Sequence, residues 1–293
     1  MKQLLMALLI IIFSFSLSAE VLPEQRSAPV SPERPPVRYW RPTESGNPLV
    51  QTLPGLEQPR PVPKRTDPKL LVVLYHNIVF GRTGNIYNRD LYNFEHDLAY
   101  LKRNYTITNF TELPALKSST DAAIITFDDG DLSLYGIVYP LFRQYELEAT
   151  IFLVPNFIGE VGYMSWEQVK EMSDYRTQEG KKLFHFESHS LTHRPMGSLG
   201  EEEIVQELKE SKARIEEHTA SEVTVLALPF GDGEGNTAII NAAKQLGYTT
   251  IRTSRPQATL LGKLNPWIVP ALNVENYSTD VFVQKALALT GRF

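Results

Sequence analysis

The sequence predicts an α/β fold: a distorted (β/α) barrel of about seven to eight mostly parallel strands. Three observations predict it. From Lys69 onward, short apolar or β-branched runs alternate with amphipathic stretches of helical period. Such alternation implies parallel strands joined by crossover helices, and about eight strands in roughly 225 residues favour a small barrel over an open sheet. Polar residues with chemistry to offer collect just after the strands, where barrels of this kind carry their sites.

Taken in order, the strand candidates are LLVVLY (70–75), YTITNF (105–110), AAIITF (122–127), ATIFLV (149–154), LFHFES (183–188), TVLALP (224–229), YTTIRT (248–253) and WIVPALNV (267–274). Helical stretches fall near 90–103, 133–145, 165–173, 201–218, 236–246 and 279–289. In the stretch 201–218, Ile204, Leu208 and Ile215 share one face, and three glutamates in the first turn complement the helix dipole. Asn236 is placed to cap the helix that follows it, and Asp131 to cap the one after the third strand.

The chain has 293 residues, 42% hydrophobic and 22% charged, with a formal net charge of −5. That composition suits a substantial apolar core and argues against nucleic acid as a partner, which would call for a basic stripe. Cysteine is absent, which excludes disulfides, thiolate metal sites and cysteine nucleophiles. Residues 1–19 have the layout of a secretory signal peptide: one lysine, an apolar stretch, then small residues ending at Ala19. Export to the periplasm, the cell surface or the medium is expected. Membrane attachment would follow only if that segment stayed uncleaved. Residues 20–68 hold 12 of the 20 prolines and read as an extended linker, leaving 69–293 as the folded domain.

The segments after the strands carry the candidate chemistry. AIITFDDGD ends an apolar run in two adjacent acids, Asp128 and Asp129, whose like charges require compensation. ESHSLTHRP supplies His189 and His193, four apart; on one helical turn both imidazoles would face the same side and reach a single ion. Two histidines plus one of the two aspartates make a common open coordination set, for which zinc is the default and nickel, cobalt or iron are acceptable.

In this order, TFDDG (126–130), HSLTH (189–193) and LPFGD (228–232) resemble the polysaccharide deacetylase family, the NodB homology domain of carbohydrate esterase family 4. The similarity runs over roughly residues 69–290 and includes YMSWEQVKEM (163–172) and the Tyr-His pair after the first strand. The resemblance implies a distorted (β/α) barrel that uses a divalent metal to remove acetyl groups from a carbohydrate polymer, usually at N-acetylglucosamine units such as those of peptidoglycan or an exopolysaccharide. It implies Asp128 as general base, and Asp129, His189 and His193 as metal ligands. Pro229 and Phe230 would border the oxyanion site, with Trp267 a candidate for the acetyl pocket. His76 is the candidate general acid, because the closing LALTGRF holds no histidine. Two other functions fit the same residues: a polysaccharide O-acetyl esterase and a non-catalytic glycan-binding member of the fold.

One position departs from the family pattern. Many members begin the third motif with an arginine that orients the base, whereas this chain has Ala227 there. Arg194 and Arg252 are the candidates to replace it. Of the remaining polar residues, His185 reads as packed on a strand, His96 as solvated and His218 as a helix-terminal cation. Glu187 is a candidate outer partner of the metal ligands, and Asp232 belongs to turn chemistry.

Overall fold

The computed structural model describes residues 61–116 and 118–292. The expected signal segment and residues 20–60 of the expected linker therefore lie outside the described residues.

The main sheet is built from β1 (Lys69–Tyr75), β4 (Thr106–Ile107), β5 (Ala122–Asp129), β6 (Ala149–Leu153), β7 (Phe184–Ser188), β8 (Val225–Ala227), β9 (Thr250–Arg252), β10 (Thr259–Leu260) and β11 (Leu272–Asn273). A separate parallel pair, β2 (Asn77–Val79) and β3 (Asn88–Asp90), follows β1. The helices are α1 (Leu91–Asn104), α2 (Tyr139–Tyr145), α3 (Trp166–Asp174), α4 (Glu201–Thr219), α5 (Thr237–Gln245) and α6 (Thr279–Thr290).

The sheet order is β10-β1-β5-β6-β7-β8-β9, with β4 also on β5 and β11 also on β1; only the β10 pairing is antiparallel. Arg252 of β9 bridges Val269, and three residues later β11 pairs with β1. The strip 269–273 thus links the last strand back to the first, and the sheet curls into a distorted barrel.

Strand alternation sorts the core into two layers. Leu70, Val72 and Leu74 of β1 meet Ile124, Phe152, Val225 and Ala271 inside the barrel. Leu71, Val73 and Tyr75 point the other way, with Ile125 and Phe127, onto Phe94 and Leu98 of α1 and Phe142 of α2. Burying each such side chain contributes about 1.5–3 kcal/mol, so both faces of the sheet bind their layers strongly.

Most helices begin where the capping residues put them. Asp90 accepts from Asn93 N, Ser165 and Gln168 form a reciprocal capping box, and Asn236 accepts from Ala238 N. The expected helix 133–145 is divided. Its first turn, Leu134–Val138, is π-helical, and Tyr139 N donates to Leu134 O. Pro140 lacks an N–H and crowds the carbonyl four residues back, so the wider turn relieves a clash that a continuous α-helix would suffer.

At the end of the barrel where β1 and β5 begin, buried Asp121 gathers three segments. It accepts from Lys69 N at 2.8 Å, from Arg65 Nε at 3.3 Å and from Arg292 at 3.0 Å. Lys64 bridges Thr120 beside it. The C-terminal ends of the strands, with the candidate site, lie at the opposite pole. Among the described residues no helix is long and apolar enough to cross a membrane.

Candidate active site

β5 carries the two acids out of the apolar interior. Alternation sends Ile124 inward, and Asp128, four residues on, faces the same side; a regular strand would turn Asp129 away. The backbone prevents that. Asp129 has φ +71 and Gly130 φ +88, and Gly130 N donates back to Asp128 O at 2.9 Å. This tight reversal swings Asp129 towards the loop after β7, with Oδ1 lying 3.4 Å from His193 Nε2 and 3.7 Å from His189 Nε2.

That loop is not helical. Ser190 (φ +62) and His193 (φ +63) are both left-handed, and Ser190 Oγ accepts from His193 N at 3.1 Å. The expected helical-turn geometry for H-x-x-x-H is therefore replaced by a strained bend, which brings the rings to 4.9 Å between centroids. Among the described residues, six non-glycine positions have positive φ, and four of them (Asp129, Ser190, His193 and Phe230) sit in this site. At about 1–3 kcal/mol each, such strain persists only where the surroundings enforce it.

Asp129, His189 and His193 offer ligand atoms that all lie within 4.8 Å of one another. Asp129 Oδ1 is buried and has no hydrogen-bond partner. His189 Nδ1 donates to Ala227 O at 2.8 Å, which leaves its Nε2 with a free lone pair facing the carboxylate. Burial lowers His189 to about 3 and also lowers His193, so both rings are neutral near pH 7. Burial and the neighbouring Asp128 raise Asp129 to about 6. Neutral imidazoles around an orphaned carboxylate oxygen are a donor set suited to a divalent cation.

Asp128 is held differently. Arg252 Nη2 lies 2.5 Å from both of its oxygens, Arg252 Nη1 donates to Ser254 Oγ at 3.2 Å, and the guanidinium sits over Phe152 at 5.0 Å. Burial alone would push the Asp128 carboxyl up, but Arg252, with His189 and His76, outweighs it and holds the group below its ordinary range. The departure at Ala227 is thereby accounted for, because Ala227 and Arg252 are register partners on β8 and β9. The guanidinium reaches the base from the next strand. Arg194, the other candidate, is turned away and pairs with Glu203 at 3.0 Å and Glu207 at 3.5 Å.

His76 follows β1, whose last residue pairs with Phe127 of β5. Its ring lies 4.7 Å from Tyr87, and its buried Nδ1 has no hydrogen-bond partner. The preceding Tyr75 is anchored by donating to Asp97, which also takes two bonds from fully buried Arg89. On the other side of the mouth, Pro229 is buried and Phe230 is 65% exposed, its ring 4.6 Å from His193.

Trp267 is the predicted site residue that the structure does not bring to the mouth. It stands in a turn before the strip 269–273, where its N–H donates to Asn265 Oδ1, and its ring packs under Lys244 of α5. Glu187 does not reach the metal ligands either, but accepts from Thr224 N and Val225 N at 2.8 Å. His185 faces Glu148, His96 Nδ1 donates to Tyr92 O at 2.7 Å, and His218 stacks on Trp166 at 4.1 Å. Glu207, which bonds to the histidine loop, was missed: a glutamate in an acidic helix gives no sequence sign that it is buried.

Fold and site together define a mostly parallel α/β barrel with an arginine-clamped aspartate beside a two-histidine, one-carboxylate cluster. Residues 116–251 match the family model described as polysaccharide deacetylase. Over that span, a little under half of its length, the chain is similar to the polysaccharide deacetylase family. In sequence it is 29% identical over 196 residues to YxkH of Bacillus subtilis, covering 65% of this chain and 66% of that one. It is 28% identical over 120 residues to the poly-β-1,6-N-acetyl-D-glucosamine N-deacetylase of Staphylococcus aureus, covering 36% of this chain and 39% of the relative. The matches thus span less than two thirds of either relative. In fold it is similar to the Streptococcus pyogenes deacetylase PplD (TM-score 0.65, 19% identity, 75% of this chain and 99% of that one). IcaB from Ammonifex degensii is comparable (TM-score 0.64, 22% identity, 77% and 98%).

Proposed function

We propose that this protein is an exported, metal-dependent hydrolase that removes acetyl groups from N-acetylglucosamine units of a carbohydrate polymer, peptidoglycan or an exopolysaccharide. In this reading residues 1–19 direct export, 20–68 form the linker and 69–293 the catalytic domain. One observation carries it: an aspartate pinned as the anion by Arg252 lies beside, but outside, the convergent Asp129–His189–His193 set.

These three residues would hold the divalent cation, zinc by default, with nickel, cobalt or iron accepted by the same donors. When bound, the cation supplies a Lewis acid that acidifies a water and polarises the acetyl carbonyl. Asp128, kept ionised by Arg252, takes the proton as the water oxygen bonds to the acetyl carbon. In the short turn at Pro229–Gly231, proline has no N–H and Gly231 N donates to Leu228 O, so the Phe230 N–H is the backbone donor left for the developing oxyanion. His76, as the general acid, gives a proton to the departing nitrogen as the C–N bond breaks, because an amide nitrogen does not leave as an anion. Its partner-free Nδ1 supports that role. Acetate and a free amine result.

The test is acetate release by the metal-loaded full chain from peptidoglycan, poly-N-acetylglucosamine and acetylated xylan. Release from an N-acetylglucosamine polymer is expected, falling at least about 10²-fold in Asp128→Asn. Release from xylan alone would replace the reading with an O-acetyl esterase. No release from any polymer by protein shown to hold metal would leave a glycan-binding module.

A further inference from the structure

The bend that carries both histidines is costly in backbone conformation, because Ser190 and His193 are left-handed. His189, Ser190 and Leu191 are buried, whereas Thr192 and Arg194 border an open cleft with Glu203 and Glu207 of α4. Packing holds the start of the bend, and polar contacts must hold the rest.

One stripe of α4 does so. Glu203, Glu207 and Ser211 are spaced four apart and share a helix face. Ser211 Oγ meets Ser188 Oγ at 2.8 Å, at the end of β7 where the loop begins. Glu203 holds Arg194 at 3.0 Å, where the loop ends. Glu207 takes the middle: its Oε2 accepts from Leu191 N and Thr192 N at 2.9 Å each, and its Oε1 accepts from the Thr192 hydroxyl at 2.5 Å. Glu207 is 3% exposed, and its ion-pair partner among the described residues is Arg194, with Nε at 3.5 Å. A buried carboxylate is spent on three donors that lie between the two histidines.

We infer that Glu207 is a positioning residue for the metal centre, a carboxylate latch that fixes His193 where it can share a cation with Asp129 and His189. The inference rests on the metal reading above. The latch acts on geometry alone and touches neither the cation nor the substrate. Glutamine at 207 keeps one acceptor oxygen but turns an NH₂ group towards donors, so at least one arm of the latch is lost.

The experiment is Co²⁺ titration of the full-length apo-protein, read by competition with a chromophoric chelator and by visible absorption of the bound ion. Thermal melting of each apo-protein is measured alongside. Glu207→Gln is expected to bind Co²⁺ at least tenfold more weakly, within the 10–100-fold range of such outer contacts, with an altered absorption band. Asp121→Asn, which weakens the charged cluster at the opposite pole of the barrel, is expected to lower the melting temperature and leave metal affinity unchanged. If Glu207→Gln does not fold, Thr192→Val removes the Oε1 arm alone and is expected to weaken binding at least threefold. Affinity and spectrum equal to wild type in the variant measured, or an equal loss of affinity in Asp121→Asn, would overturn the latch. Failure of the metal reading looks different: wild-type protein would bind no Co²⁺, or His193→Ala would retain a full equivalent.

Discussion

At the scale of single residues, the decisive pair is Asp128 and Arg252. Both are buried, and Arg252 Nη2 lies 2.5 Å from each carboxylate oxygen while Nη1 donates to Ser254 Oγ, a two-ended hold that the single nitrogen of lysine cannot supply. Removing the arginine leaves an uncompensated anion beside Asp129. Arg252→Ala is therefore expected to destabilise the fold by about 3–5 kcal/mol in denaturant titrations and to lower acetate release by at least tenfold. Arg252→Lys is expected to recover stability in part but little turnover. Restoring the guanidinium from the neighbouring register position, in Ala227→Arg with Arg252→Ala, should regain more than either single change predicts. Unchanged stability in Arg252→Ala would remove the clamp. The acids, the two histidines and His76 were legible in the sequence because each closes or follows an apolar strand. The clamp was only half legible. Arg252 and Arg194 both qualify by type, and strand register, which a single sequence does not display, separates them.

At the scale of elements, helix starts were legible where the signal is local: Asn236 and the glutamates opening α4 both act within one turn. Features set by contacts between elements were not. β2 and β3 lack an alternating β-branched pattern and form only because they pair with each other, while Ser133 Oγ accepts from Ile78 N across the sheet boundary. The histidine spacing suggested a helical turn, yet α4 enforces a bend. The end of β5 yields a direct test. Gly130 has φ +88, and a Cβ there would meet Ile158 Cδ1 at 2.7 Å and Leu153 Cδ2 at 3.0 Å. Gly130→Ala is expected to cost about 1–3 kcal/mol in thermal or chemical denaturation, and to displace Asp129 enough to weaken metal binding. A variant with wild-type stability and metal affinity would mean that the reversal is not required.

At the scale of the whole molecule, the barrel has charged chemistry at both ends. At the pole where the strands begin, buried Glu148 accepts from Asn109, pairs with Lys181 and faces His185 at 3.7 Å. Burial would raise this carboxyl, but His185, Lys181 and Asn109 outweigh it and hold it at about 2, below the ordinary 4.5. Its folded-state value is depressed, so its contribution to stability is present above about pH 4.5 and is lost as pH falls towards about 2. Denaturation midpoints should decline through that window, and the decline should be shallower in Glu148→Gln. Parallel slopes for the two proteins would assign the acid sensitivity to other groups. The barrel itself was legible from strand–helix alternation, and WIVPALNV (267–274) marked its closing strip; that the strip meets β9 by a single bridge and β1 by a two-residue strand is a matter of register, which a single sequence does not display.

The clamp at Asp121 also has a practical reach. It gathers Arg65, the start of β1 and the end of α6 at the pole farthest from the catalytic mouth. A resin, a label or a partner domain joined ahead of Pro61 is thus coupled to the blind end of the barrel. Protein immobilised from that side should keep its mouth open to a polymer arriving from solution. Attachment through the loops around Tyr87 or Phe230 should block it.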